Sequence, residues 1–229
     1  MKKMLVWLQL SIYLPYIWFN AIQSRKLDFP GKFKNATRWA KLVAKKMGVT
    51  MITEGAENVP TGEPVYFISN HQGSLDPFIL LSTVPIPTTA VSKLENSKIP
   101  FISSWFKTLE VIWLDRSSLR NSLKMIDDVV AALKEGKNIV AFPEGTRSKS
   151  ATMGEFKAGA LKPAFLAKCT VVPVALINTF VIDTKGKEDK RAKVVYCEPL
   201  KYESFKDLST VELSEKIVAI IQEKLDGGI

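Results

Sequence analysis

A histidine and an aspartate lie close together in the sequence and have the residue types of a proton-transfer pair. His71 is the only histidine among 229 residues, so any imidazole chemistry near neutral pH takes place there. Asp76 follows five residues later. At this spacing a turn can place its carboxylate on one ring nitrogen and leave the other nitrogen free as a base. The alternative is a histidine in a turn and an aspartate that only caps a helix.

The residues around this pair predict a turn that joins a strand to a helix. Residues 64–68 are apolar and β-prone, which indicates a buried strand directly before the turn. After it, Asp76 and Pro77 are typical of a helix start, with Asp76 as the N-cap and Pro77 in the first helical position. His71 is therefore expected between the end of a strand and the start of a helix.

Strand-like runs alternate with helical stretches from Val49 onward. The runs are Thr50–Thr53, Val65–Ile68, Thr88–Val91, Val111–Leu114, Asn138–Phe142, Val171–Ile177 and Lys193–Tyr196. The helical stretches are Pro77–Ser82, Ile99–Thr108, Ser118–Lys134, Ala158–Ala167 and Thr210–Leu225. This alternation predicts an α/β fold with a sheet flanked by helices and with functional residues at the carboxyl ends of the strands. The highly charged residues 183–192 are expected to form a solvated loop.

A second polar stretch follows a predicted strand at residues 142–148, which read FPEGTRS. Pro143 would end the strand ladder, and Gly145 would permit a tight turn. The backbone N–H groups of such a turn, the Thr146 hydroxyl and the Arg147 guanidinium suit a phosphate oxyanion. The alternative is an ordinary turn that carries a surface arginine.

Two further cations, Lys93 and Arg116, also follow predicted strands. The chain has no Walker-type phosphate loop and no dinucleotide fingerprint, which argues against nucleotide chemistry. Ser74 lies outside a Gly-x-Ser-x-Gly motif, so a serine hydrolase is poorly supported. Cys169 and Cys197 lack metal-ligand spacing and are expected to be buried, reduced thiols of a cytosolic protein. The sequence therefore predicts neither a metal nor a cofactor.

The net charge of +9 is concentrated in the first 50 residues, which hold ten lysines and arginines against the single acid Asp28. The remainder of the chain is balanced. A neutral body with a basic N-terminal arm predicts an anionic partner, which could be a membrane, a nucleic acid or an acidic protein. Nucleic acid is disfavoured because the body lacks a basic face and shows no zinc, helix-turn-helix or RNA-binding signature.

Residues 4–24 carry no charge and would form a helix about 31 Å long, close to the thickness of a bilayer. Five polar residues and Pro15 disfavour full spanning, and the many aromatic side chains favour the headgroup level. Basic residues flank both ends, which fits a helix that lies in one leaflet or dips in and returns. A secretory signal peptide is the alternative, but no Ala-x-Ala cleavage site is present.

Residues 35–47 have the pattern of a basic amphipathic helix, with Asn35 as its N-cap and Gly48 at its end. The alternative is an ordinary surface helix packed on the domain. Together with the preceding apolar segment, this helix predicts a two-helix membrane anchor over residues 1–48, followed by one domain over residues 49–229. The expected location is monotopic, on the cytoplasmic face of the cell membrane.

The ordered motifs resemble the four blocks of the glycerolipid acyltransferases, and in particular the bacterial 1-acyl-sn-glycerol-3-phosphate acyltransferases. The resemblance runs from about residue 49 to residue 177. It rests on Asn70-His71-(four residues)-Asp76, Arg116, residues 142–148 and Val172-Pro173-Val174. The chain departs from the family pattern at three positions. Gly73 stands where Ser is usual, Glu110 where Gly is usual, and Trp113 where Phe is usual.

The resemblance implies transfer of an acyl chain from a thioester to the free hydroxyl of lysophosphatidic acid. His71 would be the general base, and Asp76 would fix the tautomer of its ring. The residues that resemble the acceptor-binding set are Arg116, Glu144, Gly145, Thr146 and Arg147. Among them Glu144 is expected to orient an arginine or to contact glycerol, whereas Lys93 is a candidate for the thioester oxyanion or a phosphate. The implied partners are an anionic phospholipid membrane and a donor thioester of acyl carrier protein or coenzyme A.

Three other interpretations remain open. The same machinery could act on glycerol 3-phosphate or on another lysophospholipid. The chain could be a non-catalytic, membrane-associated binding module, in which case the spacing of His71 and Asp76 is incidental. It could also be a hydrolase that uses Ser74 as a nucleophile.

Overall fold

The computed structural model describes residues 2–184 and 190–229, and the side chains of residues 13–184 and 190–229. Part of the predicted solvated loop, residues 185–189, lies outside the described residues. The strands are β1 Thr50–Glu54, β2 Val65–Ser69, β3 Thr88–Lys93, β4 Ile112–Leu114, β5 Asn138–Ala141, β6 Thr170–Ile177 and β7 Arg191–Tyr196. The helices are α1 Lys2–Ser24, α2 Phe29–Lys46, α3 Asp76–Thr83, α4 Ile102–Thr108, α5 Leu119–Lys134, α6 Lys162–Ala167 and α7 Thr210–Asp226.

The seven strands form one mixed sheet in the order β1-β7-β6-β2-β5-β3-β4. Neighbouring strands are parallel except for β6 and β7, which are antiparallel. Each of the seven predicted strands is present, with its ends within two residues of the prediction. The predicted helix over residues 158–167 is divided into a 3-10 turn, Ala158–Leu161, and α6. The structure thus confirms an α/β fold with a single sheet flanked by helices.

The central strand β2 is buried on both faces, which explains its continuous apolar sequence. Tyr66 and Ile68 point into a core closed by α5, α6 and α7. Val65 and Phe67 point into the opposite core, which includes side chains of α2 and α3. Full burial of an aliphatic or aromatic side chain contributes about 1.5–3 kcal/mol. The ends of β2 are therefore held rigidly, and so is the turn that follows.

The helix α2 begins earlier than the sequence predicted. Its N-cap is Asp28, whose carboxylate accepts a hydrogen bond from the Gly31 backbone N–H at 3.0 Å. Pro30 lies in the first turn, a position that proline favours. The prediction that Asn35 caps the helix is wrong. Asn35 lies inside α2, and its side-chain amide donates to Ser24 Oγ at 3.0 Å.

The apolar side of α2 packs on the protein, as an ordinary surface helix would. Phe33, Ala36 and Ala40 are buried, and Thr37 Oγ1 donates to the Leu81 carbonyl of α3 at 3.1 Å. Five basic side chains of α2 are exposed: Lys34, Arg38, Lys41, Lys45 and Lys46. Of the helices in the described ranges, none is both long enough and apolar enough to cross a membrane.

Glu110 adopts a left-handed conformation, with φ of 55°. Glycine adopts this conformation without steric cost, which explains why glycine is usual here in the resembling family. The Glu110 carboxylate joins α2 to the body, since it pairs with Lys32 at 2.7 Å and with Lys137 at 3.0 Å. The hydrogen bond from Lys32 is the main cause that lowers the pKa of Glu110.

Candidate active site

Five strands end at the same edge of the sheet, and the candidate residues follow them there. Because β2 is parallel to β5 and β6, and β3 is parallel to β5 and β4, their carboxyl ends point in one direction. His71 follows β2, Arg116 follows β4, and residues 142–148 follow β5. Ligand sites of α/β sheets gather at such edges.

The structure brings His71 and Asp76 into direct contact. His71 Nδ1 lies 2.8 Å from Asp76 Oδ2, and the same oxygen accepts hydrogen bonds from the backbone N–H groups of Gln72, at 2.6 Å, and Gly73, at 2.9 Å. The Asp76 side chain has no solvent exposure, whereas that of His71 is 17% exposed. A buried carboxylate oxygen on Nδ1 favours the tautomer with the proton on Nδ1, which leaves Nε2 as the proton acceptor.

The prediction that Asp76 caps a helix is wrong. The helix α3 begins at Asp76 itself, Leu75 occupies the N-cap position, and no side chain caps it. Pro77 is the second residue of α3 rather than the first. The physical reason is that the ring of His71 and two backbone N–H groups of the turn already bind the carboxylate of Asp76.

The ring of His71 is also held across its face. It stacks on Phe142, with ring centroids 4.4 Å apart and an angle of 28° between the planes. Phe142 directly follows β5, so the neighbouring strand fixes the plane of the imidazole. With Nδ1 bound to Asp76 and one face covered, the ring has little freedom to rotate.

Glu144 is turned toward the backbone and is 5% exposed. Its Oε1 accepts from the His71 backbone N–H at 2.7 Å, and its Oε2 accepts from the Gly154 N–H at 3.0 Å. Burial raises the pKa of Glu144, and the two backbone hydrogen bonds oppose that rise. The sequence placed Glu144 among the acceptor-binding residues, but these two bonds join it to the turn of His71 rather than to an arginine.

Two more backbone bonds connect the same pair of turns. The Ser148 N–H donates to the His71 carbonyl at 2.8 Å, and the Lys149 N–H donates to the Gln72 carbonyl at 3.0 Å. The segment after β5 is thus attached to the histidine turn along most of its length. It acts as a rigid support for the ring.

Arg116 and the residues after Glu144 form a cationic rim beside this support. Arg116 Nη2 donates to the Gly145 carbonyl at 3.1 Å. Gly145 has φ of 63°, a backbone conformation that favours glycine, and a Cβ atom there would displace the guanidinium of Arg116. Thr146 and Arg147 are exposed at the same turn. Lys93 is the last, half-buried residue of β3, so it reaches the same edge two strands from β2.

Two buried polar side chains, whose supporting role the sequence did not predict, hold the turn that contains His71. The Asn70 side chain accepts from the Leu176 N–H at 2.7 Å and donates to the Leu176 carbonyl at 2.9 Å. Gln72 Oε1 accepts from the Thr179 N–H at 2.9 Å. Both bind to β6 or to the residues just after it. A buried polar residue on each side of His71 is the local signal, but its partners lie more than 100 residues away.

Asp183 is a further residue at the site that the sequence did not indicate. Its Oδ2 accepts from the Ser74 backbone N–H at 2.6 Å and from the Ser74 hydroxyl at 2.7 Å. The serine therefore donates to Asp183, while His71 is bound to Asp76. A Cβ at Gly73 would lie 3.2 Å from Asp183 Oδ2 and 3.2 Å from the Thr179 carbonyl, so glycine lets Asp183 approach the turn.

An apolar cavity of about 250 Å³ lies between the sheet and helices α1 to α4. Leu75 and Pro77, which flank Asp76 in the chain, both line it, so the cavity adjoins the segment that carries Asp76. Ile17 of α1 and Trp105 of α4 line it as well. A space with such walls suits a hydrocarbon chain.

The two thiols play no part in the site. Cys169 and Cys197 are buried and unpaired by any disulfide, and burial raises their pKa values to about 12 and about 11. Thiols with such pKa values are unreactive. Among the described residues, no group of three or more histidine, cysteine, aspartate and glutamate side chains is arranged to hold a metal ion.

The arrangement defines a class of protein: an α/β protein with a histidine–aspartate pair at a strand end, a cationic rim at the same edge of the sheet and an apolar cavity between the sheet and the helices. Residues 50–177 match the family model described as Acyltransferase, and the chain therefore belongs to the acyltransferase family. The solved structure of the 1-acyl-sn-glycerophosphate (LPA) acyltransferase PlsC from Thermotoga maritima has the same fold. The TM-score is 0.84 at 21% identity, over 99% of this chain and 97% of that chain.

The relatives by sequence include two bacterial proteins. The 1-acyl-sn-glycerol-3-phosphate acyltransferase of Borreliella burgdorferi is 32% identical over 132 residues, which cover 58% of this chain and 53% of the relative. A protein of Mycoplasma pneumoniae, named a probable 1-acyl-sn-glycerol-3-phosphate acyltransferase, is 31% identical over 169 residues, which cover 71% of this chain and 62% of the relative. The matches thus span between about half and two thirds of these relatives' length.

Proposed function

We propose that the chain is a 1-acylglycerol-3-phosphate O-acyltransferase, which moves an acyl chain from a thioester to the sn-2 hydroxyl of lysophosphatidic acid and gives phosphatidic acid. The observation that carries the proposal is the His71–Asp76 contact of 2.8 Å beside an apolar cavity. The names of the two bacterial relatives support the same reaction. Phospholipid biosynthesis is the process that such a reaction serves.

His71 is the general base of the proposed reaction. Its Nε2 removes the proton of the lipid hydroxyl as the oxygen attacks the thioester carbonyl, and such assistance contributes about 10²- to 10⁴-fold in rate. The C–O bond forms, the C–S bond breaks, and the proton passes from the imidazolium to the departing thiolate. Asp76 stabilises the imidazolium through Nδ1. The acceptor hydroxyl is the nucleophile, so no covalent acyl-enzyme forms.

The phosphate of the acceptor binds at the cationic rim. Arg116 and Arg147 supply charge in a fork that matches phosphate oxygens, and the Thr146 hydroxyl and the turn at Gly145 add donors. Lys93 faces the developing oxyanion of the thioester or a phosphate. Glu144 acts on the acceptor indirectly, because its two oxygens position the backbone of His71 and residue 154.

The first 48 residues attach the enzyme to the cytoplasmic face of an anionic membrane, in one leaflet, and residues 49–229 form the acyltransferase domain. Tyr16, Trp18 and Phe19 of α1 are exposed, and aromatic side chains favour the headgroup level. The outward basic side chains of α2 add about 1 kcal/mol each near an anionic surface. Because α1 and α2 also line the cavity, an acyl chain can pass from the leaflet into it.

The test is an acyl-transfer assay of the full chain in phospholipid vesicles, with acyl carrier protein and coenzyme A thioesters as alternative donors. Lysophosphatidic acid is expected to react at least about tenfold better in kcat/KM than glycerol 3-phosphate or lysophosphatidylcholine, since the two arginines recognise a phosphomonoester on a lipid. Arg116→Ala and Arg147→Ala are expected to raise KM for lysophosphatidic acid. If another acceptor reacts better, that acceptor is the substrate of the enzyme. If no acceptor is acylated, the chain is a non-catalytic binding module.

Ser74→Ala separates this mechanism from that of a serine hydrolase. We expect the variant to keep acyl transfer within about threefold of the parent, since the Ser74 hydroxyl donates to Asp183 and takes no part in proton transfer. Complete loss of transfer, or an acyl group trapped on Ser74, would support the hydrolase instead.

A further inference from the structure

The connection between β3 and α4 exposes apolar side chains that the packing of the domain does not use. It consists of the 3-10 turn Leu94–Lys98 and the residues up to Phe101, and residues 94–101 are called the rim segment below. Leu94 is 40% exposed, Ile99 38% and Phe101 40%. Three large apolar side chains are thus exposed within eight residues, and clustered apolar exposure often marks an interaction site.

A strained turn holds the rim segment in this position. Phe101 has φ of 63° and ψ of −46°, and the Ile102 N–H donates across it to the Pro100 carbonyl at 2.7 Å. This is the geometry of a γ-turn with positive φ, which bulky residues rarely adopt. Strain of this kind persists where the surroundings enforce it, often at ligand clamps. Phe101 is exposed and at the same time lines the apolar cavity, so the cavity reaches the surface here.

The rim segment lies on the same side of the sheet as the exposed aromatic side chains of α1. The helix α4, which directly follows it, is fastened to α1 because Thr108 Oγ1 donates to the Ala21 carbonyl at 2.9 Å. Leu14 and Ile17 of α1 line the same cavity as Phe101. One apolar wall of the cavity is therefore formed in part by α1, and another in part by Phe101 of the rim segment.

The charges around the rim segment favour an anionic lipid surface as its binding partner. Within the rim segment Lys98 and the acid Glu95 are both exposed, and the half-buried Lys93 directly precedes it. Apolar side chains with flanking lysines suit the boundary between the headgroups and acyl chains of an anionic leaflet. An acidic partner protein would need a broader basic face than these residues supply.

We propose that the rim segment is a second membrane contact, separate in sequence from residues 1–48, and that it inserts Leu94, Ile99 and Phe101 into an anionic phospholipid leaflet. This inference rests on the proposed function, since it gives a bilayer-resident lysophospholipid a direct path to the dyad. With both walls of the cavity against the leaflet, the substrate chain moves from lipid into the cavity without crossing water.

The direct test labels the rim segment with an environment-sensitive fluorophore. Ile99→Cys in the full chain provides one accessible thiol, because Cys169 and Cys197 are buried. Leu166→Cys is the matched control, since Leu166 is 54% exposed on α6, on the other side of the sheet. With vesicles of phosphatidylcholine and phosphatidylglycerol, the emission at position 99 is expected to shift to shorter wavelength and that at position 166 to stay unchanged. Binding without a shift at position 99 overturns the proposal.

A pair of double variants tests the consequence for substrate access. Leu94→Ser with Ile99→Ser is expected to weaken vesicle partitioning and kcat/KM for bilayer lysophosphatidic acid by about tenfold, equivalent to about 1.4 kcal/mol of lost apolar burial. Transfer to a short-chain acceptor free in solution is expected to stay near the parent value, because neither side chain lines the cavity. The control, Leu166→Ser with Val211→Ser, removes two similarly exposed residues elsewhere.

The outcomes separate this proposal from the proposed function. Equal partitioning of both double variants, with normal activity, overturns the rim contact and leaves the acyltransferase assignment intact. Unchanged partitioning with a raised KM for acyl carrier protein would show that the patch binds a protein, which also overturns it. Failure of the parent chain to acylate either acceptor would overturn the proposed function itself.

Discussion

The exchange Asp76→Asn tests the dyad with the least change of shape. Asp76 Oδ2 accepts three hydrogen bonds, at 2.6, 2.8 and 2.9 Å. Within the described residues Oδ1 is buried without a hydrogen-bond partner. An asparagine therefore has one favourable orientation, with its oxygen toward the three donors and its NH₂ in the position of Oδ1. The reverse orientation would place the NH₂ against two backbone N–H groups.

This orientation determines the expected magnitude. The amide oxygen still accepts from Nδ1–H, so the tautomer of His71 is kept and only the charge opposite the imidazolium is lost. Opposite unit charges about 4 Å apart attract by about 4 kcal/mol at an effective dielectric constant of about 20, which corresponds to about 10³-fold in kcat. The buried, unpaired NH₂ and the weaker hydrogen bonds are expected to lower the free energy of unfolding by about 2–4 kcal/mol.

The assay compares kcat at saturating lysophosphatidic acid, with unfolding in urea as the measure of stability. Because His71 is the only histidine, ¹⁵N NMR of the labelled protein reports the tautomer of a single ring. Both the parent and Asp76→Asn are expected to carry the proton on Nδ1. Asp183→Asn is the matched control, since its oxygen can still accept from Ser74, and its kcat is expected within about threefold of the parent. A kcat for Asp76→Asn within tenfold of the parent would refute the reasoning.

Three further predictions concern stability and are measured by denaturant unfolding. Gly73→Ser introduces the residue that is usual in the family. It is nevertheless expected to lower the free energy of unfolding by about 1 kcal/mol, because its Cβ would lie 3.2 Å from the Thr179 carbonyl. A stabilised variant would contradict this prediction. Since burial raises the pKa of Glu144 in the folded state, its contribution to stability is greatest below the ordinary glutamate pKa and is lost as pH rises through the raised value. Glu144→Gln should remove that slope, and an unchanged slope would assign it to another group. The pKa of Glu110 is lowered in the folded state, so its contribution to stability is present above the ordinary glutamate pKa and is lost as pH falls through the lowered value. Glu110→Gln is expected to lower the free energy of unfolding by less than about 1 kcal/mol at neutral pH, because the ion pair with Lys32 is mainly exposed. A larger loss of stability that persists in high salt would contradict this.

The elements of the fold could be predicted from the sequence because their signals are local. Each strand is a short apolar, β-prone run, and β2 between two cores is the plainest case. Cap positions were less predictable. Asn35 has a capping side chain but lies inside α2, because Asp28 and Pro30 start the helix earlier. Asp76 also has a capping side chain, but the ring of His71 and two backbone N–H groups of the preceding turn bind it instead.

The site could be predicted as far as its chemistry lies in short motifs. His71 and Asp76 are only five residues apart, and the turn after β5 lies within seven consecutive residues. Both features could therefore be predicted from local sequence. The order of the strands could not be predicted, because strands that pair, such as β2 and β5, are not neighbours in the sequence. The bonds of Asn70 to β6 and the approach of Asp183 to Ser74 could not be predicted either, because these contacts join residues more than 100 positions apart. The glycine at position 73 is explained by that last contact and by the close Thr179 carbonyl.

The most direct test of the account is the exchange His71→Asn in the full chain. The asparagine NH₂ can donate to Asp76 Oδ2 in place of Nδ1–H, so the turn is preserved while Nε2, the proposed base, is removed. We expect kcat for acyl transfer to lysophosphatidic acid to fall by about 10²- to 10⁴-fold, with KM and the far-ultraviolet circular dichroism spectrum close to the parent values. Transfer by His71→Asn at more than a tenth of the parent kcat would contradict the assignment of His71 as the general base.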